Sequence, residues 1–186
     1  MPTSKIILGL VAPMAGGKTT VTNYLNEKYG AMSFRFSDML RDVLNRLHLE
    51  HSRHNLQNIS TLLRQEFGDD LMSKVIALDV CESNKKFIIT EGVRRPSDVE
   101  YLKKIPGFHL VSIETYELVR YERIIKRTEN PDDQNKTWEQ FQADGLQESE
   151  QKIKEIAALA DDVINNNGNL EELYAQIDGI IAKYKN

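Results

Sequence analysis

The chain has 186 residues, enough for one domain with a sizeable core. Its composition, 40% hydrophobic and 28% charged, is that of an ordinary globular protein. The net charge of −4 speaks against a general nucleic-acid binder, which is usually basic, so any anionic ligand must be met by local clusters of Arg and Lys.

The single cysteine, Cys81, excludes an internal disulfide and fits a reducing compartment. It is expected as a small apolar filler. The apolar run near the N-terminus is too short for a signal peptide or a membrane span. "NIS" at Asn58 and "NKT" at Asn135 are therefore chance matches to a glycosylation pattern. A cytoplasmic enzyme is expected, with no nucleic-acid or membrane partner.

In chain order, "KIILGLV" (Lys5 to Val11) is a continuous apolar run and reads as a buried strand. A helix from Gly17 to about Lys28 follows, with Val21 and Leu25 on one face and Gly30 ending it. "AMSFRF" reads as a second strand. Ser37 or Asp38 then caps a helix to about Arg46. Arg53 to Glu82 is helical, broken at Gly68 and Asp69. "KFIIT" is a third strand, a helix restarts after Pro96, and "FHLVSIE" is a fourth strand. Glu117 to about Arg127 is a helix, and "TENPDDQNKT" (Thr128 to Thr137) is the clearest loop. Trp138 and Phe141 pack its base. One long charged helix then runs to about Leu159. "DDVINNN" holds a last strand, and Leu170 to Lys183 is a closing helix with Leu173, Ile177, Ile180 and Ile181 inward.

Strands alternating with helices predict an α/β fold, a five-stranded parallel sheet in the order 2-3-1-4-5 covered on both faces. The whole chain reads as a single domain. Ligands of such sheets sit at the carboxyl ends of the strands, so the polar residues there are the site candidates.

The first strand delivers "APMAGGKTT", close to the phosphate-cradling pattern G-x-x-x-x-G-K-[ST] but with Ala12 in place of the first glycine. Backbone amides from Ala15 through Gly16, Gly17, Lys18 and Thr19 to Thr20 can wrap a phosphate. Lys18 adds a charge for the β- and γ-phosphates, Thr19 a hydroxyl for Mg2+, and the new helix its positive end. An alanine serves where the backbone does not need positive φ, which sets a condition on Ala12 and Ala15. The second strand ends in "FSDMLR", with Asp38 and Arg41 on one helix face. The third ends in "TEGVRRPSD". There Glu91 is a carboxylate suited to Mg2+ through water, and Arg94 or Arg95 can fork onto a phosphate. Arg120, Arg123 and Arg127 line one helix face leading into the polar loop, as a lid that closes on a transferring phosphoryl group would. His48, His51 and His54 drift round a helix and lack a supporting ligand set, so they are not read as a metal site.

These residues give the chain a resemblance to the nucleoside-monophosphate kinase group of phosphate-loop enzymes, across nearly its whole length. "APMAGGKTT" is similar to the adenylate kinase loop G-x-P-G-x-G-K-x-T, with Ala12 and Ala15 replacing two glycines. "FSDMLR" resembles that family's acceptor-binding T-G-D-M-L-R, and "TEGVRRPSDVEYL" its D-G-F-P-R-T, with Glu91 for the aspartate. The middle of the chain resembles phage-type deoxynucleoside monophosphate kinases. "ALADDVINNNGNLEELYAQI" resembles the end of dephospho-coenzyme A kinases. "RYERIIKR", "NPDD" and "KTWEQF" are similar to an archaeal adenylate-kinase-like family.

The resemblance implies ATP- and Mg2+-dependent phosphoryl transfer to a nucleotide-like acceptor, a (deoxy)nucleoside monophosphate before dephospho-coenzyme A. A regulatory nucleotide switch without a small acceptor is the alternative of another class. The expected roles are Lys18 and residues 15–20 on the donor phosphates and Thr19 with Glu91 on Mg2+. Arg41, Arg64 and Arg94 are expected on the acceptor phosphate, with Asp38 orienting the acceptor oxygen. Arg123 and Arg127 are expected on the transition state. A helical insertion over about residues 38–82 forms the acceptor side, and a short lid spans about 127–137.

Overall fold

A computed structural model describes residues 5–126, 133–146 and 148–185. All six residues of strand β1 (Ile6–Val11) are buried. A strand apolar on both faces must be covered on both, and β1 lies at the centre of the sheet. The strands β2 (Met32–Arg35), β3 (Phe87–Glu91), β4 (Phe108–Glu114) and β5 (Asp162–Asn165) complete an all-parallel sheet in the order β2-β3-β1-β4-β5. Fold class, order and direction agree with the sequence reading.

Alternation along β1 divides the core. Ile6, Leu8 and Leu10 pack against Val21 and Leu25 of helix α1 (Lys18–Tyr29) and against Leu173, Ile177 and Ile181 of helix α8 (Leu170–Tyr184). Ile7 and Val11 face the other way. They pack with Phe36 and Leu40 of α2 (Phe36–Arg46), Met72 and Ile76 of α4 (Leu71–Glu82), and Ile153 and Ile156 of α7 (Glu148–Ala157). Each fully buried aliphatic side chain is worth about 1.5–3 kcal/mol. Gly9 breaks the run because a Cβ there would stand 2.7 Å from the Phe108 ring, which already fills that space.

Helix α3 (Arg53–Phe67) and α4 meet at Gly68, whose φ of +99° ends α3 where the break was expected. Helix α5 (Glu117–Ile124) follows β4, and α6 (Trp138–Gly145) precedes α7. Trp138 stacks on Phe141 with Tyr121 edge-on to Trp138, and Phe141 is buried, as expected of the residues that follow the polar loop.

Four expectations are corrected. The segment after Pro96 is not a helix but two 3-10 turns, Pro96–Val99 and Leu102–Lys104. The Asp98 carboxylate caps the first turn by taking the N–H groups of Arg94 and Arg95, and Glu100 N–H donates to Ser97 O in the 3-10 pattern. Ser73 Oγ takes the N–H of Tyr101, which therefore does not enter an α-helical ladder. The long charged helix is two helices. Gly145 ends the first, and its carbonyl accepts from the Gln151 side chain. Helix α2 starts at Phe36, before Ser37 or Asp38. Its N-cap is Arg35, whose N–H donates to the Asp38 carboxylate at 3.2 Å. Cys81 is exposed, on the solvent side of α4, and fills nothing.

Candidate active site

The parallel sheet brings five strand ends together. Leu10 and Arg35 pair with Glu91, Val11 with Ser112, and Glu114 with Asn165. The loop from Ala12 to Gly17 leaves β1 at the centre of this edge and turns directly into α1, with Gly17 as N-cap at φ +96°. The first-turn amides of α1 have no side-chain cap, so they and the dipole remain available to an anion.

Ala15 has φ +58°, in the left-handed region, and Ala12 does not. The condition read from the sequence fails at Ala15. The turn needs that conformation, and an alanine bears it at a cost of about 1 kcal/mol. Gly16 N–H donates to Pro13 O at 3.0 Å. The Gly16 carbonyl accepts from Asn166 Nδ2 at 2.9 Å and from Thr115 Oγ1 at 3.0 Å. The Met14 backbone is held at both its peptide groups. Its N–H donates to Glu150 of α7 at 3.1 Å, and its carbonyl accepts from Arg120 of α5 at 3.2 Å.

Lys18 folds back, its Nζ donating to Ala12 O at 2.7 Å. Burial, and then the nearby Arg94 guanidinium, hold its pKa down at about 8, against an ordinary 10.5. Glu150 and Glu91 oppose that shift more weakly. Thr19 is exposed and Thr20 half-buried on the first turn of α1. Glu91 Oε1 is buried without a hydrogen-bond partner among the described residues, with Arg35 Nε at 3.6 Å. A free carboxylate oxygen and a free hydroxyl are hard-oxygen ligands, which fits a Mg2+ that takes only one or two protein groups beside substrate phosphates. Among the described residues no cluster of three or more His, Cys, Asp or Glu forms a dedicated metal cage. His51 and His54 are hydrogen-bonded to Asn45 and Asn58.

Asp38 is exposed on the first turn of α2, and Arg41 donates to Ser37 Oγ at 2.8 Å with Asp38 at 3.6 Å, so the two share the face expected of them. The exposed Arg94 acts on Lys18, whereas Arg95 lies 3.6 Å from Asp69 at the α3–α4 turn. Arg64, expected on the acceptor phosphate, is engaged within the protein instead. It pairs with the buried Asp98 at 2.8 Å and donates to the Asp69 carbonyl. Its charge holds the loop that carries Arg94. Arg123 donates to the backbone and side-chain oxygens of Asn166. Arg127 lies outside the described residues, as does most of the expected lid. At the lid's described end, Tyr121 donates to Lys136 O.

Sequence reasoning missed Asn166, Glu150, Asp98 and Thr115. Asn166 and Thr115 follow strands β5 and β4, so the strand-end rule applied to all five strands would have reached them. Glu150 has no local signal.

A family model described as an AAA domain matches residues 13–142. The chain belongs to this family. Within the AAA-domain family it is similar to the UPF0200 protein MJ1399 of Methanocaldococcus jannaschii, with 30% identity over 97% of this chain and 91% of that protein. It is also similar to a UPF0200 protein of Hyperthermus butylicus, with 27% identity over 94% and 92%. Among solved structures the fold matches shikimate kinase from Bacteroides thetaiotaomicron, with a TM-score of 0.63 and 15% identity over 97% of this chain and 99% of that one. Shikimate kinase from Acinetobacter baumannii, solved with shikimate, matches with a TM-score of 0.56 and 19% identity over 97% and 95%. At these identities the likeness concerns the fold: this AAA-domain chain shares the five-stranded phosphate-loop kinase architecture.

Proposed function

We propose that the protein is an ATP- and Mg2+-dependent kinase for a nucleotide-like small molecule, with a (deoxy)nucleoside monophosphate as acceptor. The observation that carries this reading is the Lys18 ammonium at the uncapped N-terminus of α1, with Arg94 beside it and the Glu91 carboxylate, paired only loosely with Arg35, at the neighbouring strand end. Phosphoryl transfer asks a protein mainly for positioning and charge neutralisation.

In this reading the amides of residues 15–20 and Lys18 hold the donor's phosphates. Thr19 and Glu91 hold Mg2+, which when bound neutralises charge on the transferring group. Arg94 and Arg41 bind the acceptor's phosphate, Asp38 orients its oxygen, and Arg123 faces the transferring phosphoryl from α5. Arg127 keeps its proposed transition-state role on sequence grounds alone. An acceptor phosphate is already ionised at neutral pH and needs no strong base. The two basic side chains on the acceptor side favour a phosphorylated acceptor over a neutral one.

The test is ADP formation from MgATP with a panel of ribo- and deoxynucleoside monophosphates, dephospho-coenzyme A and shikimate. Stimulation by one monophosphate supports the reading. Stimulation by dephospho-coenzyme A or shikimate alone corrects the acceptor, and no stimulation by any of them refutes the kinase.

A further inference from the structure

We infer that Asn166 is a positioning residue: it aims the Gly17 amide and seats the Arg123 guanidinium over the phosphate loop as one unit. The inference rests on the phosphate-loop reading of residues 12–20 and goes beyond it, since Asn166 belongs to none of the motifs that carry that reading.

Three observations converge on this side chain. Asn166 follows β5 and is 5% exposed. Its Nδ2 donates to the Gly16 carbonyl at 2.9 Å, beside the bond from Thr115 Oγ1 at 3.0 Å. A trans peptide is planar, with its C=O and N–H pointing in opposite directions. Two donors that fix the Gly16 carbonyl outward therefore fix the Gly17 N–H inward, toward the concavity of the loop where phosphate oxygens collect.

The second observation is Gly17 itself. A Cβ there would stand 2.1 Å from Asn166 Nδ2, and φ is +96°. Asn166 cannot step aside cheaply, because it is buried and its polar atoms are engaged on both ends. Gly17 is thus required by the amide behind it as well as by the ligand in front of it.

The third is Arg123. Its Nη2 donates to the Asn166 carbonyl at 3.0 Å and lies 3.4 Å from Oδ1. Its Nη1 is buried, has no hydrogen-bond partner among the described residues, and lies 3.6 Å from the place a Gly17 Cβ would occupy. One edge of the guanidinium is held by Asn166, and the other is left free beside the loop. A buried unpaired guanidinium N–H costs stability, and a phosphoryl oxygen would satisfy it.

The arrangement predicts coupling. A guanidinium that must arrive within a fraction of an ångström loses much of its effect when its holder is removed. The experiment is a double-mutant cycle on the full chain, with Asn166→Ala, Arg123→Ala and the pair. It reads MgATP affinity by calorimetry, where the aim of the Gly17 amide shows, and the single-turnover rate of ATP cleavage at saturating MgATP, where the seating of Arg123 shows. Each single change is expected to slow cleavage by about tenfold to a hundredfold, and the pair to be no slower than Arg123→Ala within about threefold. Asn166→Asp is nearly isosteric and guards against a folding failure. It keeps the acceptors for Arg123 but sets a carboxylate against the Gly16 carbonyl, so it is expected to weaken MgATP binding at least about tenfold while slowing cleavage less than Asn166→Ala.

If the losses of Asn166→Ala and Arg123→Ala multiply in the pair, Asn166 does not act through Arg123 and the inference fails while the phosphate-loop reading stands. If Asn166→Asp binds MgATP like the wild type, the role in aiming the Gly17 amide fails. If the wild type itself binds no MgATP, the phosphate-loop reading fails and takes the inference with it.

Discussion

Asp98 offers a strong test of how the acceptor side is held. Its side chain is 2% exposed, and its carboxylate accepts from Arg64 Nη2 at 2.8 Å, Arg94 N at 2.9 Å and Arg95 N at 3.0 Å. The Arg64 side chain is 11% exposed, so Asp98→Ala strands a guanidinium that water reaches poorly. Breaking such a pair from one side costs about 3–5 kcal/mol, because the surviving charge is left uncompensated. The two backbone amides lose an acceptor as well, but they belong to exposed residues and can turn to water at smaller cost. A destabilisation of about 3–5 kcal/mol follows, read from urea midpoints at an unchanged denaturant slope. Removing both charges, as Arg64→Met with Asp98→Ala, should be less damaging than Asp98→Ala alone, since no buried charge is left behind. A cost below about 1 kcal/mol for Asp98→Ala, or additive costs in the double variant, would refute this account of the loop.

Three further outcomes follow from the site. The Lys18 pKa is lowered from 10.5 to about 8 in the free protein, so the folded state releases this proton before the unfolded chain does, and Lys18 contributes a stability increment that grows between pH 8 and 10.5. A bound polyphosphate restores the charge. MgATP affinity should therefore be level below pH 8 and fall above it, with proton uptake measurable by calorimetry in buffers of different ionisation enthalpy; affinity level through pH 9.5 would contradict the buried-lysine reading. Ala15→Gly should be neutral or stabilising by up to about 1 kcal/mol in denaturant unfolding, because glycine takes φ +58° without strain. A loss of more than about 1 kcal/mol would contradict the left-handed assignment. Arg94→Ala, at an exposed side chain, should raise the acceptor's KM about tenfold or more and leave MgATP affinity within about threefold; equal losses of both would make Arg94 structural.

What was legible in the sequence was what local rules determine. The apolar run of β1 demanded burial on both faces, alternation with helices demanded a parallel sheet, and Gly17-Lys18-Thr19 between strand and helix pointed to an anion site. The misses came where tertiary partners overrode local pattern. The stretch after Pro96 has helical periodicity, but Ser73, far away in sequence, captured the N–H of Tyr101. The pairing of Arg64, expected on the acceptor phosphate, with Asp98 was not legible because the two lie 34 residues apart. Asn166 and Glu150 meet the loop across 150 and 136 residues of chain, and no short-range pattern encodes such a contact. Ala15 took a conformation that its residue type disfavours, imposed by the turn between Pro13 and Gly17.

The central claim is that Lys18 holds the phosphates of a transferring nucleotide. The most direct measurement compares wild type and Lys18→Ala for MgATP-dependent phosphorylation of whichever acceptor is most active, alongside thermal unfolding. Among the described residues Lys18 Nζ donates to the Ala12 carbonyl, and its buried charge costs stability at neutral pH, so the variant should fold with an unfolding midpoint no lower than that of the wild type. Its turnover should fall by about a thousandfold or more, the scale of removing a charge that stabilises the transferring group. A folded Lys18→Ala protein that keeps turnover within about tenfold of wild type would contradict the account.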